Sequence, residues 1–346
     1  MVETVRLGII GAGSFTRGRT LPNFLKVPGV ELVAVANRSV ASAEKIASEF
    51  EIPEALDDWH RIVERNDIDA VFVGAPPYVH PEIVDAAMDA GKDVLSQTRM
   101  ATTLTDARGM LAKAKATGRK GALVRPSRYV TAGRYVKHLL GDGYVGNVRQ
   151  VFCYRLIPDY TDASLPVGRR QLPELYGVLN CLYLGYCWDV LRSWFGDPKR
   201  VFAQALNFTP QRRAGPDGPM VAVGVPESVS AIAEMESGAS VMSVQSGLAH
   251  FGEDRVEIYG DEGTLVYKAD SDTLLGGRRG DKELAPLEVP ADFRDAWTVE
   301  SDFIRLVHGE IPELFLTFED GVKNIEYLTA CQRSAAEERW VELPLP

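Results

Sequence analysis

No apolar run among the 346 residues approaches the roughly 20 needed to span a bilayer, so no membrane partner is expected. Cysteine is scarce: Cys153, Cys181, Cys187 and Cys331 are the 4 present, and none forms a C-x-x-C pair with metal spacing. That absence argues against a zinc site and favours a reduced compartment. The 5 histidines (His60, His80, His138, His250 and His308) are scattered without ligand spacing, so no metal is expected. Positive charge is in deficit, and the net charge of −10 weighs against nucleic acid or an anionic membrane surface as the main partner. No low-complexity tract or internal repeat is present. A strand starting at Val5 leaves no room for a signal or transit segment in front of it, and a cytoplasmic location is expected.

What is present is more pointed. At 346 residues the chain exceeds one ordinary core, and two domains are expected. The run Val5-Arg6-Leu7-Gly8-Ile9-Ile10 reads as a short buried strand and stops at Gly11-Ala12-Gly13-Ser14-Phe15-Thr16. Glycines at the first two places of G-x-G-x-x-G permit a tight turn and close approach of a pyrophosphate. A helix after it aims free N–H groups at that phosphate, from Ser14 and Phe15. Thr16 occupies the third glycine place, so the match is imperfect, and such a motif alone also fits a plain tight loop.

The N-terminal third alternates strand and helix. Strands are expected at Glu31–Ala36, Ala70–Gly74, Asp93–Ser96 and Gly121–Val124. Ser39 is placed to cap a helix carrying Ala43, Ile46, Ala47 and Phe50 on one face, and further helices are expected over 81–90 and 105–117. Alternation of this kind gives a doubly wound parallel sheet, with ligands at the carboxyl ends of its strands. From about residue 148 the chain turns β-rich, with strands at Val148–Leu156, Arg200–Phe208, Val229–Met235, Ser240–Gln245 and Arg255–Tyr259, and one helical stretch over Tyr176–Phe195. Segments 209–224 and 270–290 read as surface loops. The expected architecture is α/β: a Rossmann domain over 1–125, then an α+β domain with a mostly antiparallel sheet over 126–346.

Landmarks along nearly the whole chain carry a resemblance. They are Gly8-Ile-Ile-Gly-Ala-Gly13, Asp69-Ala-Val-Phe-Val-Gly-Ala-Pro-Pro-Tyr-Val-His80, Gly141-Asp-Gly-Tyr-Val-Gly146, Tyr259-Gly-Asp-Glu-Gly-Thr-Leu265, and Phe303 through Thr317-Phe-Glu-Asp-Gly321. In this order they resemble the glucose–fructose oxidoreductase / inositol dehydrogenase / MocA family. The resemblance implies a two-domain NAD(P)-dependent oxidoreductase acting on sugars, polyols or their relatives, as a homodimer or homotetramer. It places Ala75, Pro76, Pro77, His80 and Gln97 beside the cofactor, His80 as a structural or cofactor-adjacent residue rather than a catalyst.

The departures bear on mechanism. Where the family carries Glu-Lys-Pro after the fifth strand, with the lysine helping a substrate proton leave, this chain has Gln97-Thr98-Arg99. Aligned on Asp189 and Trp194–Gly196, the family's aspartate and general-base histidine fall on Leu182 and Tyr186. Removing a hydroxyl proton with a positioned base is worth about 10²–10⁴-fold. Tyr186 is the one group left to do it, with Thr98 as a hydrogen-bonding partner and Arg99 as the cation that would lower the phenol's pKa. The competing reading makes Tyr186 an aromatic that packs or stacks on substrate.

Arg128, Arg169 and Arg170, with Tyr176, fall at matching substrate positions, although Arg169 and Arg170 read equally as a solvated surface. Convergent guanidinium groups favour planar anions, so a sugar acid or other carboxylate is expected. An acidic residue at the end of the second strand would hold the ribose 2′-hydroxyl of NAD; Asn37-Arg38-Ser39 there favours NADP over NAD. Three classes stay open. The first is an oxidoreductase with rebuilt proton chemistry, as in the bilin reductases, which resemble the family and lack the lysine and histidine. The others are a lyase, hydrolase or epimerase that recycles its nicotinamide, and a non-catalytic nucleotide-binding protein.

Overall fold

Apolar Val5–Ile10 forms β1, third in a wholly parallel six-stranded sheet. The computed structural model describes residues 4–125, 132–177, 179, 183–294 and 297–346. After β1 come β2 (Val30–Ala36), β3 (Glu54–Leu56), β4 (Ala70–Val73), β5 (Asp93–Ser96) and β6 (Gly121–Leu123), in the order β3-β2-β1-β4-β5-β6. Every residue of β4 and β5 is buried, as strands covered on both faces by crossover helices must be. The Ser39 hydroxyl accepts from the Ser42 N–H at 3.3 Å to start the helix Val40–Phe50, which buries Ala43, Ile46 and Ala47. The helix His80–Asp89 carries Pro81 in its first turn, and Thr103 caps the helix Leu104–Thr117. The strand order reverses between β1 and β4, so the loops that follow β1, β2, β4 and β5 gather at the carboxyl edge.

The chain divides into two units, Met1–Arg125 with Thr298–Ile325, and Pro126–Trp297 with Glu326–Pro346. The contiguous division into 1–125 and 126–346 differs from this over 298–325, which returns to the first unit. There Ala122 and Thr317 form an antiparallel bridge, and the Leu123 N–H donates to the Leu316 carbonyl at 3.0 Å. Phe318, 1% exposed, covers that edge, where a β-carbon on Gly121 would stand 2.7 Å from its ring.

The second unit is built on a nine-stranded sheet: β7 (Val148–Leu156), β8 (Pro198–Leu206), β11 (Ser228–Met235), β12 (Ser240–Ser246), β13 (Asp254–Gly260), β14 (Gly263–Lys268), β15 (Thr273–Arg278), β16 (Ala285–Pro286) and β17 (Val341–Glu342). Its order is β16-β15-β14-β13-β7-β12-β11-β8-β17, with β7 and β12 parallel and every other pair antiparallel. The two segments expected as loops contain strands: β9 (Gln211–Arg213) pairs β10 (Met220–Ala222), and β15 with β16 extends the main sheet. A long-range contact orders the first of these. Arg212, 2% exposed, donates to the carbonyls of Tyr160 and Asp162 and pairs with buried Glu227. The expected helical stretch over Tyr176–Phe195 is also not continuous. A short helix, Pro173–Tyr176, ends at Gly177 with φ 75°, and the helix Leu184–Phe195 follows.

The sheet's two faces differ in register. Cys153, Ser243, Ala231 and Ala203 align across β7, β12, β11 and β8 and are buried. One residue along, Phe152, Met242, Ile232 and Phe202 align on the other face and are half-buried or exposed. On the buried side Trp188 stacks on Tyr327 at 3.6 Å between ring centroids, beside unoxidised Cys153, Cys187 and Cys331. Burial pushes the Cys331 thiol up to about 12, so it packs as a small apolar side chain rather than reacting. No helix among the described residues is long and apolar enough to cross a membrane.

Candidate active site

In the first unit the site begins at the turn after β1. Gly11 takes φ 87°, where a β-carbon is disfavoured, and its N–H donates to the Ala36 carbonyl at 2.9 Å. Two glycines meet backbone to backbone here. A β-carbon on Gly11 would stand 2.5 Å from the Ala75 nitrogen, and one on Gly74 would stand 2.4 Å from the Gly11 carbonyl oxygen. Gly13 is different: among the described residues a β-carbon there meets nothing within 4 Å, so no packing among them demands a glycine. Its bare, exposed backbone is what a closely approaching pyrophosphate requires. Thr16, at the third glycine place, is 1% exposed and bonds the turn itself, its hydroxyl donating to the Gly11 carbonyl at 3.3 Å. The helix begins at exposed Ser14 and half-buried Phe15, passes through a π-helical turn over Thr16–Thr20 and continues over Leu21–Phe24.

The end of β2 is tied into this turn. The Asn37 side chain accepts from the Ala12 N–H at 2.8 Å and donates to the Ser42 carbonyl at 3.1 Å, so its amide is already engaged. Ser39 is likewise engaged as the helix cap. Arg38 is exposed and has no ion-pair partner among the described residues, and the helix it precedes has no acidic residue in its first turn.

His80 is wholly buried and binds the loops after β4 and β5 together. Its Nε2 lies 2.7 Å from the Ala75 carbonyl, and Nδ1 lies 3.1 Å from the Met100 carbonyl and 3.2 Å from the Ser96 hydroxyl. Burial outweighs these bonds and lowers its pKa to about 4, so the ring is neutral at pH 7. A neutral ring has one N–H; with Nε2 donating to Ala75, the shorter contact, Nδ1 accepts from Ser96 and makes no hydrogen bond to the Met100 carbonyl. With both nitrogens facing protein groups, His80 supports the loops and offers no ring atom to a ligand. Ala75 and Pro76 are half-buried and Pro77 buried. Gln97 and Thr98 are half-buried after β5, the Thr98–Arg99 peptide is cis, and Arg99 is 7% exposed.

The second unit holds the remaining candidates. Tyr186 is half-buried in the first turn of Leu184–Phe195, with its ring centroid 5.4 Å from that of Tyr183. Arg99 belongs to the first unit and Tyr186 to the second; Arg170 is a cation within electrostatic range of Tyr186 in its own unit. Arg169 and Arg170 are exposed, and Tyr176 is half-buried. Arg128 and Leu182 lie outside the described residues. Tyr183 escaped the sequence reading. Two guanidinium groups lie over its ring, Arg155 at 4.6 Å and Arg170 at 5.1 Å from the centroid, and its hydroxyl accepts from Arg170 Nη1. The available signal was Y-x-x-Y, two tyrosines one helical turn apart.

Comparisons with known proteins agree with this arrangement. A family model described as an oxidoreductase family with an NAD-binding Rossmann fold matches residues 5–124, and the corresponding C-terminal domain matches 134–266. A dTDP-3,4-didehydro-2,6-dideoxy-α-D-glucose 3-reductase of Saccharopolyspora spinosa is 30% identical over 93% of this chain and 86% of its own length. The 1,5-anhydro-D-fructose reductase of Ensifer adhaerens is 25% identical over 98% of each. Among solved structures, apo levoglucosan dehydrogenase superposes with a TM-score of 0.87 over 100% of both chains at 21% identity. The glycine turn, the parallel sheet, the second antiparallel unit and these matches together make the chain a member of the Gfo/Idh/MocA oxidoreductase family.

Proposed function

We propose that this chain is an NADP-preferring oxidoreductase that interconverts a hydroxyl and a carbonyl group on a sugar, sugar acid or related small polar molecule. The carrying observation is the contrast within the turn: Gly11 and Gly74 are required by packing, whereas no described residue crowds Gly13, whose bare backbone leaves room for a closely approaching pyrophosphate. The pyrophosphate lies against Gly11, Gly13 and the N–H groups of Ser14 and Phe15. Arg38, exposed and without an acidic partner, takes the ribose 2′-phosphate together with Ser39 and the start of Val40–Phe50. Ala75, Pro76, Pro77 and Gln97 flank the nicotinamide half. The relatives named above are sugar reductases, and the structural neighbour is a sugar dehydrogenase, which supports a sugar as substrate.

Bound nicotinamide supplies or takes up the hydride. In the oxidative direction Tyr186 accepts the substrate's hydroxyl proton as the carbon–hydrogen bond breaks; in reduction it returns that proton to the carbonyl oxygen. In the first unit Thr98 offers a hydroxyl that can hydrogen-bond a substrate oxygen, and Arg99 offers a positive charge. The test is a fluorescence titration with NADPH and NADH. Tighter NADPH binding supports the reading, and clearly tighter NADH binding overturns the cofactor preference.

A second reading rests on the residues Gln97-Thr98-Arg99 and Tyr186, which stand in place of the family's proton-handling lysine and histidine. It is a lyase, hydrolase or epimerase that recycles its nicotinamide, and it differs in turning substrate over without net NADPH oxidation. The outward row Phe152, Met242, Ile232 and Phe202 supports a homo-oligomer, in which a second copy covers an apolar surface. Light scattering tests this: a monomer at all concentrations counts against it.

A further inference from the structure

Most arginines of the second unit are neutralised. Arg155, Arg200, Arg212 and Arg255 each pair with a carboxylate. Arg170 has no carboxylate partner among the described residues, and what holds it is Tyr183. Tyr183 stands just before Leu184–Phe195 in a left-handed conformation, φ 63° and ψ 20°. Arg155 lies 4.6 Å from its ring and is neutralised by Asp254, the two side chains being 6% and 1% exposed. The Arg155–Asp254 pair therefore anchors the ring without adding net charge. Arg170 lies 5.1 Å from the same ring and donates Nη1 to its hydroxyl.

This arrangement uses one donor of a guanidinium that has five. The exposed remainder is a positive fork in fixed orientation, with Tyr186 and Tyr160 also within its electrostatic range. A planar fork beside phenol rings matches an oxyanion carried on a sugar: the oxyanion takes the fork while the sugar's C–H face can lie on Tyr186, the Tyr183 ring already carrying two guanidinium groups.

We propose that Arg170, positioned by Tyr183, forms an anion subsite that selects substrates bearing an oxyanion, carboxylate or phosphate, on a sugar ring. Arg170 contacts the anion directly. Tyr183 is a positioning residue, since it fixes the fork's direction and leaves the charge unchanged. This rests on the oxidoreductase reading only for the word substrate; the subsite itself is a binding site.

Binding is therefore measured without turnover, by calorimetry on the full chain with D-glucuronate, D-glucose 6-phosphate and D-glucose, and separately with NADPH. Wild type should bind glucuronate more tightly than glucose. Arg170→Met, which keeps the stem and removes the charge, should weaken glucuronate on the order of 10–100-fold, the worth of a charge-assisted pair, while glucose and NADPH are unchanged. Arg170→Lys should restore part of the loss. Tyr183→Phe keeps the ring and removes the hydrogen bond. It should lower the ratio of glucuronate to glucose affinity several-fold, a charge selectivity that loss of packing alone would not alter. Glucose 6-phosphate should likewise bind more tightly than glucose and be weakened by Arg170→Met, the ratio of the two anions showing which oxyanion the fork prefers. Equal binding of glucuronate and glucose to wild type, or undiminished glucuronate binding by Arg170→Met, overturns the subsite. NADPH bound without glucuronate defeats only the subsite, and glucuronate bound without NADPH defeats only the oxidoreductase reading.

Discussion

The Ala12 N–H donates to the Asn37 side-chain oxygen at 2.8 Å, which ties the glycine turn to the end of the second strand. In the proposed reading this one residue shapes the turn that would take the pyrophosphate and occupies the place that would read the adenosine ribose. Asn37→Asp keeps that acceptor, adds a negative charge and loses the bond to Ser42. NADPH affinity should fall about 10–100-fold while NADH affinity is held or improved. Arg38→Ala should lower NADPH affinity by about tenfold or more and leave NADH nearly unchanged. Paired fluorescence titrations check both; equal losses for the two cofactors would remove Arg38 from the 2′-phosphate.

The three glycines should separate cleanly. Gly11→Ala forces a β-carbon onto φ 87°, and Gly74→Ala drives one to 2.4 Å from a carbonyl oxygen. Each should cost about 2 kcal/mol or more in urea unfolding. Gly13→Ala meets no atom within 4 Å and should change stability by less than about 0.5 kcal/mol, yet weaken dinucleotide binding about tenfold or more. A Gly13→Ala protein that binds NADPH like wild type would show that the pyrophosphate does not lie there.

His80 gives a pH dependence with a definite sign. Burial lowers its pKa to about 4 from 6.5, so over that interval the unfolded chain binds the extra proton and stability falls as pH drops. At roughly 1.4 kcal/mol per unit, the full loss is about 3 kcal/mol, complete below pH 4. A His80→Gln variant lacks this contribution, so its stability difference from wild type should shrink between pH 7 and pH 5. A difference that stays constant with pH would contradict the neutral, buried imidazole.

Tyr186→Phe removes only a hydroxyl and keeps the ring beside Tyr183. Steady-state kinetics on the true substrate should show kcat and kcat/KM falling together by about 10²–10⁴-fold, with NADPH affinity unchanged. Full activity in the phenylalanine variant would end Tyr186's part as proton carrier.

Buried strands were legible because an all-apolar run bounded by glycine, proline or charge has few other uses; Val5–Ile10 and Asp93–Ser96 match their reading residue for residue. The cap at Ser39 was equally local. The hairpin of β9 and β10 was not legible, since its order depends on Arg212 reaching Tyr160 and Asp162 about 50 residues away, a contact no window of sequence contains. The edge contacts of Leu316 and Phe318 with β6 hide in the same way, being long in sequence and short in space. At the site, residue types pointed to Tyr186 and Arg170, but the meeting of Tyr183 with Arg155 and Arg170 is a tertiary arrangement that no spacing encodes.

The central claim is that the turn at Gly11–Phe15 holds a dinucleotide for hydride transfer. Native mass spectrometry of the full-length protein, as purified and after incubation with NADPH or NADH, tests it most directly. The account predicts one dinucleotide per chain, with NADPH retained in preference to NADH. A folded protein that can be loaded with neither would contradict it.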